Sequence, residues 1–296
     1  MQEYTNSQEA LAAVDESKTF VIANLNDFDE VAHKNVHNCY ELFYAQSSGG
    51  KLLIDNRNYL VERGSLFFIN DFESHFFTAE KTNMYQRKVL YIHPPFLRRL
   101  STPQTDLTQC FQRDGGEQFS HKVLLSKSQQ SQVNQLLQRL SSTSTGYGQD
   151  IMEQSVFCEL MVLLNQLFTQ SMEESQQPAA SNDTNLVDDI IKYINENITD
   201  RLQISIIAAH FYLSDAYVCR AFKAQTGTTI NKYITARRIT IAKQYLAKGS
   251  TVLNACEKSG FRDYTNFVKA FTKLVGISPK KYEKLHAQER APKKRA

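Results

Sequence analysis

The sequence lacks the short motifs that identify the common enzyme classes. It contains no GxSxG nucleophile elbow, no Walker loop, no GxGxxG dinucleotide-binding turn and no HExxH metal-binding helix. It also lacks an uninterrupted apolar run of about 18 residues, which a membrane-spanning helix would need. The first residues, MQEYTNSQEALAAV, contain neither a basic nor an apolar stretch, so we expect no secretory signal. These absences predict a protein that is not an enzyme, has no catalytic residues and has no membrane partner.

Cysteine is scarce, and its spacing predicts no cross-links. The chain of 296 residues has five cysteines, an odd number, and none of them forms a CxxC motif. This pattern argues against a disulfide framework and against a zinc site, and it is typical of reduced thiols in a cytosol. We therefore expect a cytoplasmic protein that holds no cofactor. The cysteines are Cys39, Cys110, Cys158, Cys219 and Cys256.

Charge is distributed unequally between the two ends of the chain. Residues 185–296 contain 20 Lys and Arg against 9 Asp and Glu, whereas residues 1–184 contain 14 against 22. A chain of this length has room for roughly two domains, so the pattern indicates an acidic N-terminal domain and a basic C-terminal one. A basic domain favours nucleic acid as its partner. The alternative is a lysine-rich surface that only faces solvent.

Short β-strands are predicted for the part of the chain that follows a polar arm over residues 1–19. Runs rich in Phe, Tyr, Ile, Leu and Val alternate with turn residues such as Gly49 and Gly50, and Pro94 and Pro95 end the series. Strands of this length and spacing predict a small barrel or sandwich, and a barrel lumen can hold a small ligand. The runs are FVIANL (20–25), YELFYAQ (40–46), GKLLID (50–55), YLVERG (59–64), SLFFIN (65–70), HFFTAE (75–80) and KVLYIH (88–93).

Two helices are predicted after the barrel, over residues 126–142 and 150–170, and they complete a first domain over residues 1–170. The second helix has two adjacent apolar stripes, which predicts burial on two sides. One side would cover the barrel, and the other would meet the same helix of a second subunit in a homodimer. The alternative is that both faces are covered within one monomer. The stripes are Phe157, Met161, Leu164 and Phe168, and Val156, Leu160, Leu163 and Leu167.

The C-terminal domain, residues 186–284, is predicted to be entirely helical and to contain two helix-turn-helix units. Residues 171–185 have almost no apolar content and predict a flexible linker before it, and residues 285–296 predict a basic disordered tail. The two units form an internal repeat, in which a capping residue is followed by two inward-facing apolar residues and one outward-facing basic residue. Ser214, Val218, Phe222 and Arg220 thus align with Asp263, Phe267, Phe271 and Lys269.

The C-terminal domain resembles the DNA-binding domain of the AraC/XylS family over residues 190–284. The matching text is FYLSDAYVCRAFKAQTGTTINKYITARRITIAKQYLAKGS followed by GFRDYTNFVKAFTKLVGISPKKY, including its closing glycine, Ser278, Pro279 and Tyr282. The resemblance implies an α+β protein of two domains. An N-terminal cupin-like β-barrel with following helices would precede an all-α domain with two helix-turn-helix units.

The barrel region also resembles the cupin domain of that family, over residues 33–93. The matching features are His37 followed by Glu41, turns at Gly50 and Gly64, and His75 after the next strand. Metal-binding cupins place two histidines and a glutamate on the first segment, but Asn35 stands two positions before His37 and His33 is out of step. The resemblance therefore predicts no metal site. It predicts that His37, Glu41 and His75 hydrogen-bond a polar effector in the lumen, the alternative being that they only brace the barrel.

The outward faces of the two predicted recognition helices supply the candidate DNA contacts. Arg220 is the candidate for reading a base, because a guanidinium can hold guanine O6 and N7 together. Phosphate clamping, which positions the protein without specifying sequence, is predicted for Lys223, Arg262, Lys269, Lys273 and Lys280. The candidate residues are Ala216, Tyr217, Cys219, Arg220, Lys223, Arg262, Tyr264, Thr265, Val268, Lys269 and Lys273.

Together these features predict a bacterial, nucleoid-associated transcription regulator that binds double-stranded promoter DNA. We favour an activator that contacts RNA polymerase and responds to a small-molecule effector of the sugar type. The alternatives are a repressor, or a regulator controlled by a non-sugar ligand or a protein partner. A further alternative from another class is a metal-dependent cupin enzyme fused to a DNA-binding domain.

Overall fold

The computed structural model of the chain describes residues 3–26, 37–55, 57–78, 85–113, 120–142, 146–174 and 186–290. The N-terminal part is a two-sheet β-barrel with helices on one side, and the C-terminal part is entirely helical. The predicted fold class is therefore confirmed. His33 and Asn35 lie outside the described residues, as do residues 175–185, which hold most of the predicted linker, and residues 291–296 at the end of the predicted tail.

The barrel consists of two antiparallel sheets. The larger has the strand order β1-β7-β2-β5-β8, and the smaller has the order β4-β3-β6. Each of the seven predicted runs overlaps a strand, although the predicted run 59–64 does so only at residues 59–60, and an eighth short strand completes the larger sheet. The strands are β1 Phe20–Leu25, β2 Tyr40–Ala45, β3 Lys51–Ile54, β4 Arg57–Leu60, β5 Ser65–Ile69, β6 His75–Thr78, β7 Arg87–Ile92 and β8 Lys122–Leu124.

The larger sheet is buried on both faces, which explains its nearly continuous apolar sequence. Because side chains alternate along a strand, Leu42 and Tyr44 of β2 point to one core while Phe43 and Ala45 point to the other. The first core lies between the sheet and the helices that follow the barrel. The second core lies between the two sheets, and the candidate effector residues lie beside it.

The N-terminal segment is a helix, so the prediction of a loose arm over residues 1–19 is wrong. Helix α1, Ser7–Ser17, begins after Asn6, whose side-chain oxygen accepts a hydrogen bond of 2.7 Å from the backbone N–H of Gln8. Leu11 and Val14 are buried in the core between the two sheets. Burial of this apolar stripe fixes α1 against β1 and β7, where it closes one side of the barrel.

The helices after the barrel are α2 Pro94–Leu100, α3 Lys127–Ser141 and α4 Gln149–Glu174. Both apolar stripes of α4 lie within the monomer, since every stripe residue is buried except Leu163, which is partly buried against the same core. The second of the two alternatives for this helix is therefore the one observed. By length and apolar composition alone, α4 would also be able to cross a membrane. Its packing against the larger sheet accounts for that composition.

The C-terminal domain has seven described helices, and two helix ends at its borders differ from the prediction. Helix α4 continues to Glu174, so residues 171–174 of the predicted linker are helical, and the last helix continues to Arg290, so residues 285–290 of the predicted tail are helical as well. The helices are α5 Leu186–Glu196, α6 Ile204–His210, α7 Asp215–Thr226, α8 Ile230–Ala247, α9 Val252–Lys258, α10 Tyr264–Val275 and α11 Pro279–Arg290.

Candidate functional site

The two predicted recognition helices, α7 and α10, have the same local design. Ser214 caps α7 by accepting a hydrogen bond of 3.3 Å from Tyr217 N–H, and Asp263 caps α10 by accepting one of 2.7 Å from Asn266 N–H. Each helix has 12 residues and ends at a glycine with positive φ, the backbone region that glycine adopts without a steric penalty. The internal repeat predicted from the sequence is thus a repeat of structure.

The inward faces of α7 and α10 anchor both helices in one core. Val218 and Phe222 of α7 are completely buried, and so are Phe267 and Phe271 of α10. These aromatic and aliphatic residues pack with α8, the long helix that joins the two helix-turn-helix units. The rotation of each recognition helix about its axis is therefore set by the core, and the opposite face is left for a ligand.

Most of the predicted DNA-binding residues lie on that opposite face. Cys219 and Val268 are the exceptions, because both are half-buried and pack against the core of the domain. Tyr217 and Tyr264 begin the two helices with about half of their surface exposed, at 46% and 49%. The exposed candidates are Ala216, Tyr217, Arg220, Lys223, Arg262, Tyr264, Thr265, Lys269 and Lys273.

The cationic side chains on this face are available for an external anion. In the part of the chain that the structure describes, Arg220, Lys223, Lys269 and Lys273 form none of the intramolecular ion pairs. Exposed cations attract nucleic-acid phosphates, and their binding releases the counterions condensed on the nucleic acid. The arrangement is suited to binding a polyanion along the exposed faces of α7 and α10.

The barrel brings His37, Glu41 and His75 together, as the sequence predicted. His37 precedes β2, Glu41 lies on β2, and His75 begins β6 in the other sheet. Both imidazole Nε2 atoms approach the same Glu41 oxygen, Oε2, at 2.9 Å from His37 and 3.2 Å from His75. All three side chains are buried, so the cluster joins the two sheets across the lumen.

The charges in this cluster depend on one another. Burial alone would raise the pKa of Glu41, but the charge of His75 and hydrogen bonds from both imidazoles hold it far below its usual value. Burial works against protonation of His75, yet the Glu41 carboxylate raises the pKa of that imidazole above its usual value. Burial lowers the pKa of His37 despite its hydrogen bond to Glu41. These directions favour an ionised Glu41 and a protonated His75, whereas burial favours a neutral His37, which can donate a hydrogen bond from only one of its two ring nitrogens.

The space beside the cluster is small. A cavity of about 30 Å³ is lined by the three residues, by Ser7 and Leu11 of α1, and by aromatic side chains of the barrel. That volume holds about two water molecules. A larger ligand can enter only if side chains move, and Ser7 and Leu11 of α1 are among those that line the cavity.

The same three side chains have the chemistry to bind a polar molecule or a divalent cation. Their candidate ligand atoms all lie within 4.8 Å of one another. His37 Nδ1 also lies 3.0 Å from the Cys39 carbonyl oxygen, a contact that orients the imidazole with Nε2 toward the lumen. Imidazole and carboxylate groups bind transition metals, but they bind hydroxyl groups by hydrogen bonds as well.

A second buried polar cluster was not evident from the sequence. The Glu73 carboxylate pairs with Arg113 and accepts a hydrogen bond of 2.7 Å from His121 Nε2, and His121 Nδ1 lies 2.8 Å from the Tyr59 hydroxyl. Burial alone would raise the pKa of Glu73, but its hydrogen bonds with Arg113 and His121 lower it to about 2. These residues link the ends of both sheets to the segment before β8, so their position indicates a bracing role.

Two further buried cations were not predicted, although each interrupts an apolar pattern. Arg87 lies on β7 at the same face as Val89 and Tyr91, and its guanidinium stacks 5.1 Å from the Phe77 ring beside the cavity. Lys243 lies on α8 between Ile239 and Leu246, at the spacing of the buried face. A charged residue at an inward position of a strand or helix is the signal that identifies both.

Two family models and several known proteins match the chain. The family described as the AraC-like ligand binding domain matches residues 26–180, and a helix-turn-helix domain matches residues 207–285. The HTH-type transcriptional activator RhaR of Escherichia coli is 24% identical over 288 residues, which are 97% of this chain and 95% of that protein. The crystal structure of ToxT from Vibrio cholerae is 14% identical, and the match covers 90% of this chain and 98% of ToxT with a TM-score of 0.37.

Proposed function

The chain belongs to the AraC family of helix-turn-helix transcription regulators, with an N-terminal ligand-binding domain, and we propose that it activates transcription from promoters that α7 and α10 recognise. Activation is the role stated in the name of the RhaR relatives, and it requires contact with RNA polymerase. The proposal assigns base reading to Arg220 and phosphate contact to Lys223, Arg262, Lys269 and Lys273.

The observation that supports this assignment is the matched exposure of the two recognition helices. Each is fixed by two buried apolar residues and presents its cationic side to solvent. Since successive major grooves on one side of B-DNA are about 34 Å apart, two such helices joined by the single helix α8 can read one turn of duplex. If the unbound spacing differs, DNA bending supplies the adjustment at a cost of about 1–6 kcal/mol.

The DNA assignment is tested by two substitutions in the full chain, on an operator obtained by in vitro selection and on a random duplex. We expect Arg220→Ala to weaken operator binding by about 1–3 kcal/mol and to relax the preference at one base position. We expect Lys273→Ala to weaken both duplexes to a similar extent and to reduce the slope of log K against log salt by about one.

The matched control is Lys192→Ala, because Lys192 is exposed on α5 and belongs to neither recognition helix. It removes the same charge as Lys273→Ala at a different surface. Equal losses from Lys192→Ala and Lys273→Ala would show that only net charge matters. Equal effects of Arg220→Ala on the operator and on the random duplex would refute the base-reading role.

The effector proposal rests on the cluster of His37, Glu41 and His75. Its buried carboxylate and imidazoles can hydrogen-bond the hydroxyl groups of a sugar-type molecule, and Leu11 of α1 must shift to enlarge the cavity. A thermal-shift screen of the full chain against sugars tests this, since a ligand that binds the folded state raises the melting temperature by mass action. A hit must lose its effect in Glu41→Gln, and a hit that persists there binds elsewhere.

A homodimer formed through α4 is part of the proposal as well. The outward side of α4 presents Ile151 and Val162, which are 63% and 39% exposed, and they lie on one helical stripe with the half-buried Cys158. Exposed apolar residues in a row are typical of a helix–helix contact. Light scattering on the full chain measures the mass, and Ile151→Glu is expected to convert a dimer into a monomer.

A metal-dependent cupin activity is the second candidate function, and the convergence of three ligand atoms within 4.8 Å is the observation that favours it. A divalent metal held by His37, Glu41 and His75 would act as a Lewis acid in the lumen. Elemental analysis of the purified chain tests this candidate. Stoichiometric iron, manganese or zinc that disappears in Glu41→Gln would support the enzyme over the sensor.

A further inference from the structure

The outer face of the smaller sheet is covered by the DNA-binding domain. Leu53 of β3 and Phe76 of β6 are buried in the core of the helical domain rather than in the barrel. The Tyr233 hydroxyl of α8 donates a hydrogen bond to the Asp55 carbonyl oxygen, and the Arg237 guanidinium pairs with the Asp55 carboxylate. The two domains therefore form a packed interface, in which α7 lies against β3 and β6 and α8 supplies these polar contacts.

Lys243 of α8 is a fully buried cation in this interface. Its side chain is 0% exposed, and its ammonium donates hydrogen bonds to two backbone carbonyl oxygens of the barrel. One acceptor is His37 O at 2.7 Å, and the other is Asp71 O. The rings of Phe72 and Tyr282 lie 5.5 and 5.9 Å from Nζ. Burial lowers the pKa of Lys243 to about 8, although Asp71 works in the opposite direction.

A buried ammonium of this kind favours an all-or-none interface. Removing a charge from water is costly, and the cost is offset only while every hydrogen bond to the charge is kept. Partial separation of the domains would leave the ammonium with fewer acceptors and without full hydration. The docked arrangement and a fully separated arrangement are therefore favoured over intermediate ones, which is the property of a switch.

His37 connects this interface to the barrel lumen. Its imidazole lies in the candidate effector cluster, 2.9 Å from Glu41 Oε2, while its own carbonyl oxygen accepts the hydrogen bond from Lys243. The imidazole is buried and is held at both ring nitrogens, by the Cys39 carbonyl at 3.0 Å and by Glu41, so it has little room to rotate by itself. A ligand that displaces it therefore strains the backbone that carries the His37 carbonyl. Helix α8 in turn carries the two helix-turn-helix units, one at each end. A short covalent and hydrogen-bonded path thus joins the lumen to the DNA-reading elements.

We propose that the contact between the His37 carbonyl and the Lys243 ammonium couples occupancy of the barrel lumen to docking of the DNA-binding domain. The inference rests on the proposed effector site and names the way in which that site controls the DNA-binding domain. An occupant that displaces His37 removes one of the two acceptors that Lys243 needs. The domain then undocks, and the two recognition units are released from their fixed orientation on the barrel.

Docking can be measured directly with a single indole, since the chain has no tryptophan. Phe72→Trp places that probe beside Lys243 at a half-buried position of the interface. In this background Lys243→Glu would bury a carboxylate against two carbonyl oxygens, so we expect the domains to separate and the emission to move to longer wavelength. The matched control is Lys232→Glu, the same charge reversal at an exposed position of α8, and its emission is expected to match the parent.

A second variant breaks the interface from the barrel side. Asp55→Asn removes the ion pair with Arg237 and keeps a residue type that tolerates the positive φ of this position, 49°. We expect a smaller shift of emission in the same direction. Circular dichroism and binding to a random duplex verify that each variant is folded. Unchanged emission in folded Lys243→Glu and Asp55→Asn proteins would overturn the docking role of Lys243.

The connection to the lumen is tested by Glu41→Gln in the same tryptophan background. The substitution weakens the charged contact that holds the His37 imidazole, and we expect the emission to shift toward that of Lys243→Glu. In the Lys243→Glu background, Glu41→Gln should add nothing. If the double variant shifted the emission by the sum of the shifts of Glu41→Gln and Lys243→Glu alone, the proposed coupling would be refuted. Loss of operator recognition by Arg220→Ala is measured separately, so failure of the DNA proposal and failure of the coupling are distinguishable.

Discussion

The barrel and the DNA-binding domain place their charged residues in opposite ways. The barrel buries Glu41, Glu73 and Arg87. It pairs Glu41 with His75 and Glu73 with Arg113, each from a distant segment, and it stacks Arg87 on the ring of Phe77. The DNA-binding domain leaves its cations on the surface of α7 and α10. Among its described residues, Lys243 is the fully buried charged side chain, and its hydrogen-bond acceptors belong to the barrel.

This difference separates two kinds of site. A surface of exposed cations works through long-range attraction, tolerates substitution and is screened by salt. A buried polar cluster works only when all of its partners are in place, because an unpaired buried charge is costly. The family's two activities, binding DNA and binding a small ligand, therefore rest on charges whose removal should have very different effects on stability.

The largest expected effect is on the free energy of unfolding when the second buried cluster is broken. Glu73→Ala leaves Arg113 and His121 without their carboxylate, and we expect a loss of about 3–5 kcal/mol. Urea denaturation followed by circular dichroism measures it. The control is Glu159→Ala, which breaks an exposed ion pair with Arg139 and should cost about 0–1 kcal/mol. Equal losses would remove the distinction between buried and exposed charges.

The next effect is on the acid dependence of stability. The pKa of Glu73 is lowered to about 2 in the folded chain, from an ordinary value of 4.5. Its contribution is therefore fully present above the ordinary pKa and is lost as pH falls toward the folded value. We expect the unfolding free energies of the parent chain and of Glu73→Gln to differ most near neutral pH and to converge in acid. A difference that is constant with pH would show that ionisation of Glu73 contributes nothing.

How much could be predicted from the sequence depends on whether a feature is set by neighbouring residues or by contacts between distant ones. The strands and helices could be predicted because their signals are local: apolar runs between turn residues for the barrel, and capped stripes for α7 and α10. Strand β8 has only three residues and is a strand because it pairs with β5. No local sequence pattern predicts that pairing. The segment that forms α1 is polar overall, so its few buried apolar residues, among them Leu11 and Val14, do not stand out as a helical stripe in the sequence.

The candidate sites show the same difference between local sequence signals and contacts between distant segments. Exposure of the residues on α7 and α10 follows from helical periodicity, so the sequence predicted all but the half-burial of Cys219 and Val268. His37, Glu41 and His75 could be brought together only through a resemblance. The partners of Glu73 and Lys243 depend on how distant segments and whole domains meet, and no periodicity within one element contains that information.

The smallest expected effect concerns the caps of the two recognition helices, which test whether the repeat is symmetric in energy. Asp263 accepts its N–H at 2.7 Å and Ser214 at 3.3 Å, and a carboxylate also interacts favourably with the positive end of the helix dipole. Each substitution by alanine should destabilise the chain within the usual range of about 0.5–2 kcal/mol, and Asp263→Ala should cost more than Ser214→Ala. Both caps lie on the exposed surface, so neither loss should approach that of Glu73→Ala. The reverse order of the two losses in urea denaturation would mean that hydrogen-bond length does not govern these caps, and that the first unit contributes more stability than its geometry indicates.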